Sequence, residues 1–219
     1  MDEAVKPSAR RTRGYHAPRR VAQAAATRAA ILAAARSVFS ARGYRAATVA
    51  DIAAKAGVAV DTVYATVGRK PTLLRELVET AISGQNEAVP ADERDYVLAV
   101  RAATTAREKV AIYAAAVTAI QQRLAPIFEV LRDAATSDNE CATLWREISD
   151  RRAGNMRLLA GDLRATGQLR ADLSDGEVAD IIWSMNAAEY WSLLVRQRGW
   201  TPQRFTTYLI DAWTRLLLD

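Results

Sequence analysis

The stretch from Thr48 to Leu74, TVADIAAKAGVAVDTVYATVGRKPTLL, carries side chains suited to touching a polyanion rather than to breaking bonds. Helical periodicity turns Val60, Asp61, Thr62, Ala65 and Thr66 outward, with Tyr64 at the side. Small apolar groups such as Val60 and Ala65 fit thymine methyls. A threonine hydroxyl bonds a base or a phosphate, and Asp61 offers the acceptor that cytosine N4 needs. An outward Asp is repelled by phosphate, however, and the favoured role of Asp61 is to stabilise the N-terminus of its own helix. Arg, Lys, Asn and Gln are missing from residues 60–66, and with them the bidentate purine contacts.

Two short helices joined by a tight turn must position these groups. Thr48 and Asp51 have capping-box spacing, with Asp in the Glu position, and mark a helix start. Ala53 lets two helices approach closely, Gly57 permits a left-handed turn, and Val63 anchors the second helix on the first. The pattern is that of a DNA-binding helix-turn-helix. Ahead of it, Ile31, Leu32, Ala35, Val38 and Phe39 form the buried face of a helix starting near Thr27 or a turn or so earlier, with Gly43 as its stop. Behind it, Pro71 fits the first turn of a helix running to about Glu87.

Enzymatic constellations find no support. The only histidine, His16, lies in a Pro- and Arg-rich arm, which excludes a Ser-His-Asp or Cys-His site in the body. No Walker A loop, dinucleotide glycine motif or metal-ligand cluster occurs. The single cysteine, Cys141, allows no internal disulfide and reads as a structural thiol; a redox role would require a perturbed pKa. Asp175 and Glu177 are better explained by a helix N-terminus than as paired catalytic carboxylates. The expectation is no catalytic residue, no metal and no cofactor.

Over roughly Thr27 to Leu77 the chain resembles the TetR family of bacterial transcriptional regulators. The resemblance is carried by the helix near Thr27, the Thr48–Gly57 helix, the run VDTVYATVGRK and Leu73-Leu74. It implies a homodimer with paired N-terminal DNA-binding domains and a C-terminal domain that dimerises and binds a small effector. It also implies phosphate-binding roles for Thr48, Tyr64 and Lys70, to which Arg69 and Arg45 add charge. Repression is the default it suggests. The chain departs from the commonest family pattern at Ala59 and Val60, where polar residues are usual, and at Val67, where an aromatic is usual. Those departures leave the operator sequence open.

Charge is uneven along the chain. Residues 1–70 hold 13 Lys/Arg against 4 Asp/Glu, a balance of +9, and residues 71–219 hold 17 against 21, a balance of −4. A basic first third suits double-stranded DNA at one end only. We divide the chain into a disordered basic arm (1–20), a helix-turn-helix domain (21–70) and a helical ligand-binding and dimerisation domain (71–219). Lys6, Arg10, Arg11, Arg13, Arg19 and Arg20 of the arm either grasp DNA or form a solvated tail.

The fold class is all-α. The body is expected to contain helices over Asp92–Ala103 and Ala106–Arg123, and another starting at Pro126. Further helices are expected from about Cys141 to Ala165, from Ser174 to about Gln197, and over about Pro202–Leu217. In the last two, Trp183, Ala187, Tyr190, Trp191 and Leu194 share one face, and Phe205, Leu209, Trp213 and Leu216 another. An isologous homodimer contact through these helices is the favoured fate of those faces, with an intrachain core as the alternative. Tyr113, Phe128, Trp145, Met156, Trp183, Asn186, Glu189 and Tyr190 are candidate walls of an effector pocket. Asn186 and Glu189 are singled out because they interrupt an apolar helix. With no membrane-spanning apolar run and no secretory signal visible, a cytoplasmic location is expected. The competing reading is a helical interaction protein whose helix-turn-helix no longer reads DNA and binds a protein or RNA partner.

Overall fold

The computed structural model describes residues 17–85 and 87–219. Residues 1–16, most of the expected arm, lie outside that range. Helix α1 (Ala17–Ala46) begins well before Thr27. Residues 17–20 are therefore helix rather than arm. Pro18 is tolerated in a first turn, and the Ala-rich lead-in has the highest intrinsic helix propensity. Gly43, with φ 71 and ψ 173, breaks the helix where its stop was expected.

The head is completed by α2 (Val49–Ala56), α3 (Val60–Thr66) and α4 (Lys70–Ser83). The full capping box of Thr48 and Asp51 opens α2, and Gly57 at φ 70 closes it in the left-handed conformation that a Cβ disfavours. Ile31, Ala35, Phe39, Ile52, Val63, Leu73 and Leu74 are buried together as the head's core. Helix α4 stops at Gly84, short of Glu87; a Cβ on Gly84 would meet the Arg123 guanidinium at 2.9 Å.

In the body, a 3₁₀ turn at Ala91–Glu93 leads into α5 (Asp95–Ala102), so the helix expected from Asp92 starts one turn later. Helix α6 (Ala106–Ala135) runs unbroken through Pro126, where a new helix was expected. Pro126 has no N–H for the Gln122 carbonyl and crowds that turn. Burial of Leu124, Ala125, Ile127 and Phe128 on both sides outweighs the local cost. The nearby Arg123 carbonyl accepts a hydrogen bond from Arg36 Nη1 of α1 at 2.9 Å.

Helix α7 (Asn139–Arg164) is followed by α8 (Asp175–Met185), which ends twelve residues before the expected Gln197. Asn186 and an extended Ala187 interrupt it, and α9 (Ala188–Trp191) resumes and passes into a π-helical turn at Ser192–Gln197. Helix α10 (Pro202–Leu217) closes the fold. Among the described residues the only β pairing is an isolated bridge between Leu169 and Leu218. No helix there is long and apolar enough to cross a membrane.

One expected interface is instead core. Phe205, Leu209 and Trp213 are essentially unexposed within the single chain. Trp213 stacks on Tyr113 of α6 at 5.7 Å, and Phe205 meets Trp191 edge-on at 5.0 Å. Leu217 completes that inward stripe, whereas Leu216 is 43% exposed. Those three side chains and the buried Trp191 are spent inside the monomer and are not available to a second copy.

Candidate nucleic-acid interface and buried cavity

Helix α3 lies on the head with Val63 as its one fully buried residue. Val60 and Tyr64 are 37% and 49% exposed, Asp61 and Ala65 are exposed, and Thr62 and Thr66 are half-buried. Tyr64 is therefore an outward phenol and not a core aromatic. Asp61 sits in the first turn of α3, whose N-cap Ala59 supplies no side-chain bond.

The Thr48 hydroxyl is committed within its capping box. It accepts from the Asp51 N–H at 3.1 Å and donates to the Asp51 carboxylate at 2.7 Å. Asp51 also pairs with Arg42 at 2.8 Å. The Thr48 hydroxyl first, and Arg42 in smaller part, hold the Asp51 carboxyl below the usual carboxylate range. A phosphate contact by Thr48 thus has to share a hydroxyl already bonded twice.

Three basic residues expected to face DNA turn toward the α6–α7 corner of the body. Lys70 Nζ lies 4.3 Å from the centre of the Tyr44 ring. Arg45 Nε donates to Ser137 Oγ at 3.2 Å, and Arg69 pairs with Glu140 at 3.2 Å. Tyr44 donates to Asp138 Oδ2 at 2.7 Å, and Asp138 Oδ1 accepts from the Cys141 N–H at 3.0 Å to cap α7. Partial burial lowers the Lys70 pKa, opposed by the nearby Asp138. Burial raises the Cys141 thiol, which keeps it protonated and unreactive. Tyr44, Ser137, Asp138 and Glu140 escaped the sequence reading because the partners are between 71 and 94 residues apart. Only the capping position of Asp138 leaves a local trace.

The body holds a cavity in two chambers. The outer, of about 360 Å³, lies among α5, α6 and α7, with Val97, Val100 and Leu159 as apolar walls and Arg101, Asp92 and Asp162 as charged ones. The inner, of about 100 Å³, adjoins it, and Tyr96, Tyr113, Asn155 and Met156 line both. Of the expected pocket residues, Tyr113 and Met156 line both chambers, and Phe128 and Asn186 line the inner one. The others are elsewhere. Trp145 stacks behind Phe128 at 4.4 Å, Trp183 lies under the Arg152 guanidinium at 4.4 Å, and Tyr190 bonds Tyr208 at 2.9 Å. Glu189 acts on Arg152 through charge. Gln121 was missed, although a glutamine eight residues after Tyr113, on the same buried face of α6, was a readable signal.

The N-terminal geometry agrees with the comparisons. The family model described as bacterial regulatory proteins, tetR family, matches residues 31–77, which span most of α1 through α4. No curated protein matches in sequence. A TetR-family transcriptional regulator from Rhodococcus sp. superposes with a TM-score of 0.64 at 17% identity, covering 89% of this chain and 99% of its own. The fatty acid degradation regulator FadR from Bacillus halodurans gives 0.70 at 19%, covering 85% and 94%. FadR from Bacillus subtilis in complex with stearoyl-CoA gives 0.67 at 19%, covering 84% and 96%. At such identities the likeness speaks for the fold, which extends over head and body alike. The helix-turn-helix region of the chain, residues 31–77, thus matches the tetR family of bacterial regulatory proteins, and the fold of head and body together is the one seen in solved regulators of that family.

Proposed function

We propose that the protein is a cytoplasmic repressor that binds a palindromic operator as a homodimer and is released by a small molecule bound in the two-chamber cavity. The observation that carries this reading is the junction. At the edge of the reading head, Arg45 and Arg69 are held against Ser137 and Glu140, where α6 and α7 meet, and Lys70 rests on the Tyr44 ring, whose hydroxyl bonds Asp138 of the same corner; the same two helices wall the cavity. A ligand that changes the packing of α6 on α7 acts directly on the residues that would grip phosphate. Such coupling is reciprocal and typically amounts to about 1–3 kcal/mol.

In the dimer, two copies of α3 would enter successive major grooves. Thr62 and Thr66 would read bases, with Val60 and Ala65 against thymine methyls. Tyr64, Lys70, Arg69 and Arg45 would hold the backbone, Thr48 would join them by sharing its hydroxyl, and Asp61 would steady the start of α3. The second copy would dock through the faces of α8–α10 that the core leaves free, including Leu193 and Leu216, 50% and 43% exposed.

Selection of bound fragments from a random duplex pool, read by sequencing at moderate salt, tests the reading. A palindromic motif supports it. Recovery of no motif, with binding that vanishes as salt rises, would remove it. Lys70→Ala is expected to weaken binding to every duplex alike and to reduce the slope of log K against log salt by about 1. Thr62→Ala or Thr66→Ala should instead change which bases are enriched at the half-site. Equal loss on all sequences would assign those two hydroxyls to the backbone.

A further inference from the structure

The inner chamber contains two amide side chains whose donors are spent and whose acceptors are not. Gln121 and Asn186 are each 4% exposed. Gln121 Nε2 donates to the Asn186 backbone carbonyl at 2.5 Å, which fixes the orientation of the glutamine amide. Asn186 Nδ2 donates to the Tyr113 hydroxyl at 2.8 Å and approaches Met156 Sδ at 3.1 Å. That leaves Gln121 Oε1 and Asn186 Oδ1 buried without a donor. An unpaired buried acceptor is costly, and at a cavity wall an incoming donor is one way to satisfy it. The Tyr113 hydroxyl beside them donates only to Met156 Sδ, at 3.2 Å, and a thioether is a weak acceptor.

The charges around the chamber narrow the partner. Arg94, Arg151 and Arg152 line it and no carboxylate does. Arg151 is neutralised by Glu79 at 2.7 Å, while Arg152 rests its guanidinium on Trp183 and is partly offset by the nearby Glu189 charge, which leaves the surround mildly positive. An ammonium would meet this positive surround unfavourably. A carboxylate would bring its oxygens against the two amide oxygens. A neutral hydroxyl fits without such conflict: its single hydrogen answers one of the two amide oxygens, and its own oxygen accepts from Tyr113. The remaining walls, such as Val117, Leu124 and Phe128 inside and Val97, Val100 and Leu159 outside, ask for an apolar body.

We infer that the cavity takes an uncharged, largely apolar alcohol or phenol, with its hydroxyl seated between Gln121, Asn186 and Tyr113. The inference rests on the cavity being the effector site. It is tested by calorimetry on the full-length protein with 4-butylphenol, its methyl ether 4-butylanisole, and 4-butylbenzoate. Each titration is paired with the effect of the same compound on affinity for the selected duplex. The phenol should bind about tenfold or more tightly than the ether, and the carboxylate should bind more weakly than the phenol. In Gln121→Met the preference for phenol over ether should shrink several-fold. Equal binding of phenol and ether, as would follow if buried water serves the two oxygens, overturns the inference. If both then still release duplex, the effector reading stands. Tightest binding by the benzoate overturns it in favour of an anion held by Arg152. Phenol preference without any change in duplex affinity supports the hydroxyl seat and removes the effector role instead. Failure of all three to bind removes both.

Discussion

Val63→Asp is expected to abolish duplex binding, by about a hundredfold or more, while leaving the body helical. Val63 is the only residue of α3 that is fully buried, within a head core that includes Phe39, Ile52 and Leu74. Its carbonyl also accepts from the N–H groups of Val67 and Gly68, at 2.9 and 3.1 Å, which ends the helix. A seven-residue helix has no stability of its own and takes its place chiefly from this anchor, with the half-buried Val67 beside it. A carboxylate buried there without a partner costs several kcal/mol, comparable with the whole stability of a small domain. Mobility shift and far-UV circular dichroism together separate loss of the reading helix from general unfolding. Val63→Ala, which removes only apolar contact, should fall in between. A Val63→Asp protein binding within threefold of the parent would show that α3 is not anchored as described.

Asp138→Ala is expected to lower the melting temperature by about 5–10 °C and to weaken whatever coupling links cavity and head. The substitution removes the side-chain cap of α7, worth about 1 kcal/mol. It also leaves the Tyr44 hydroxyl without its acceptor, at about 1–3 kcal/mol. In a chain of this size each kcal/mol moves the midpoint by about 2–4 °C. The effect has a pH signature. The Tyr44 hydroxyl first, and then the backbone N–H groups of α7, hold the Asp138 carboxyl below its ordinary value of 3.8. Its depressed pKa means that the stabilisation is complete above that value and is lost as pH falls through the folded pKa. The melting curves of parent and variant should therefore differ most near neutrality and converge below about pH 4. A constant gap down to the acid limit would place the effect outside the Asp138 charge. Tyr44→Phe should reproduce part of the loss while keeping the cap.

What the sequence made legible was local. Thr48 with Asp51 and Ser174 with Glu177 announced helix starts because a capping box is complete within four residues. Gly57 announced its turn because only the left-handed conformation closes it there. The head's core followed the helical period without exception at Ile31, Leu32, Ala35, Val38 and Phe39. What was misread depends on partners far along the chain. Pro126 looked like a helix start because its penalty is local and the burial that offsets it is not. Phe205, Leu209 and Trp213 looked like an interface because an apolar stripe does not say whether α6 or another copy covers it. Arg45, Arg69 and Lys70 looked free for phosphate because Ser137, Glu140 and the Tyr44–Asp138 pair come to them only in the fold.

Pro126 removes one backbone hydrogen bond from the otherwise continuous α6, which makes it the place where that helix would bend first and the natural fulcrum of any tilt. On one side of Pro126 lie Tyr113, Val117 and Gln121, against the cavity; on the other the helix runs to Ala135, just before the corner that holds Tyr44 and Arg45. The arm beyond the fulcrum is about 13 Å long, nine residues at the helical rise. A hinge change of about 10° would carry its tip about 2 Å sideways, more than a hydrogen bond survives. Arg36 braces the fulcrum from α1 through the Arg123 carbonyl, and Arg123 Nε in turn holds the Ala81 carbonyl of α4. Tilt in this one shaft would thus reach, at three points, the two helices that carry the reading head.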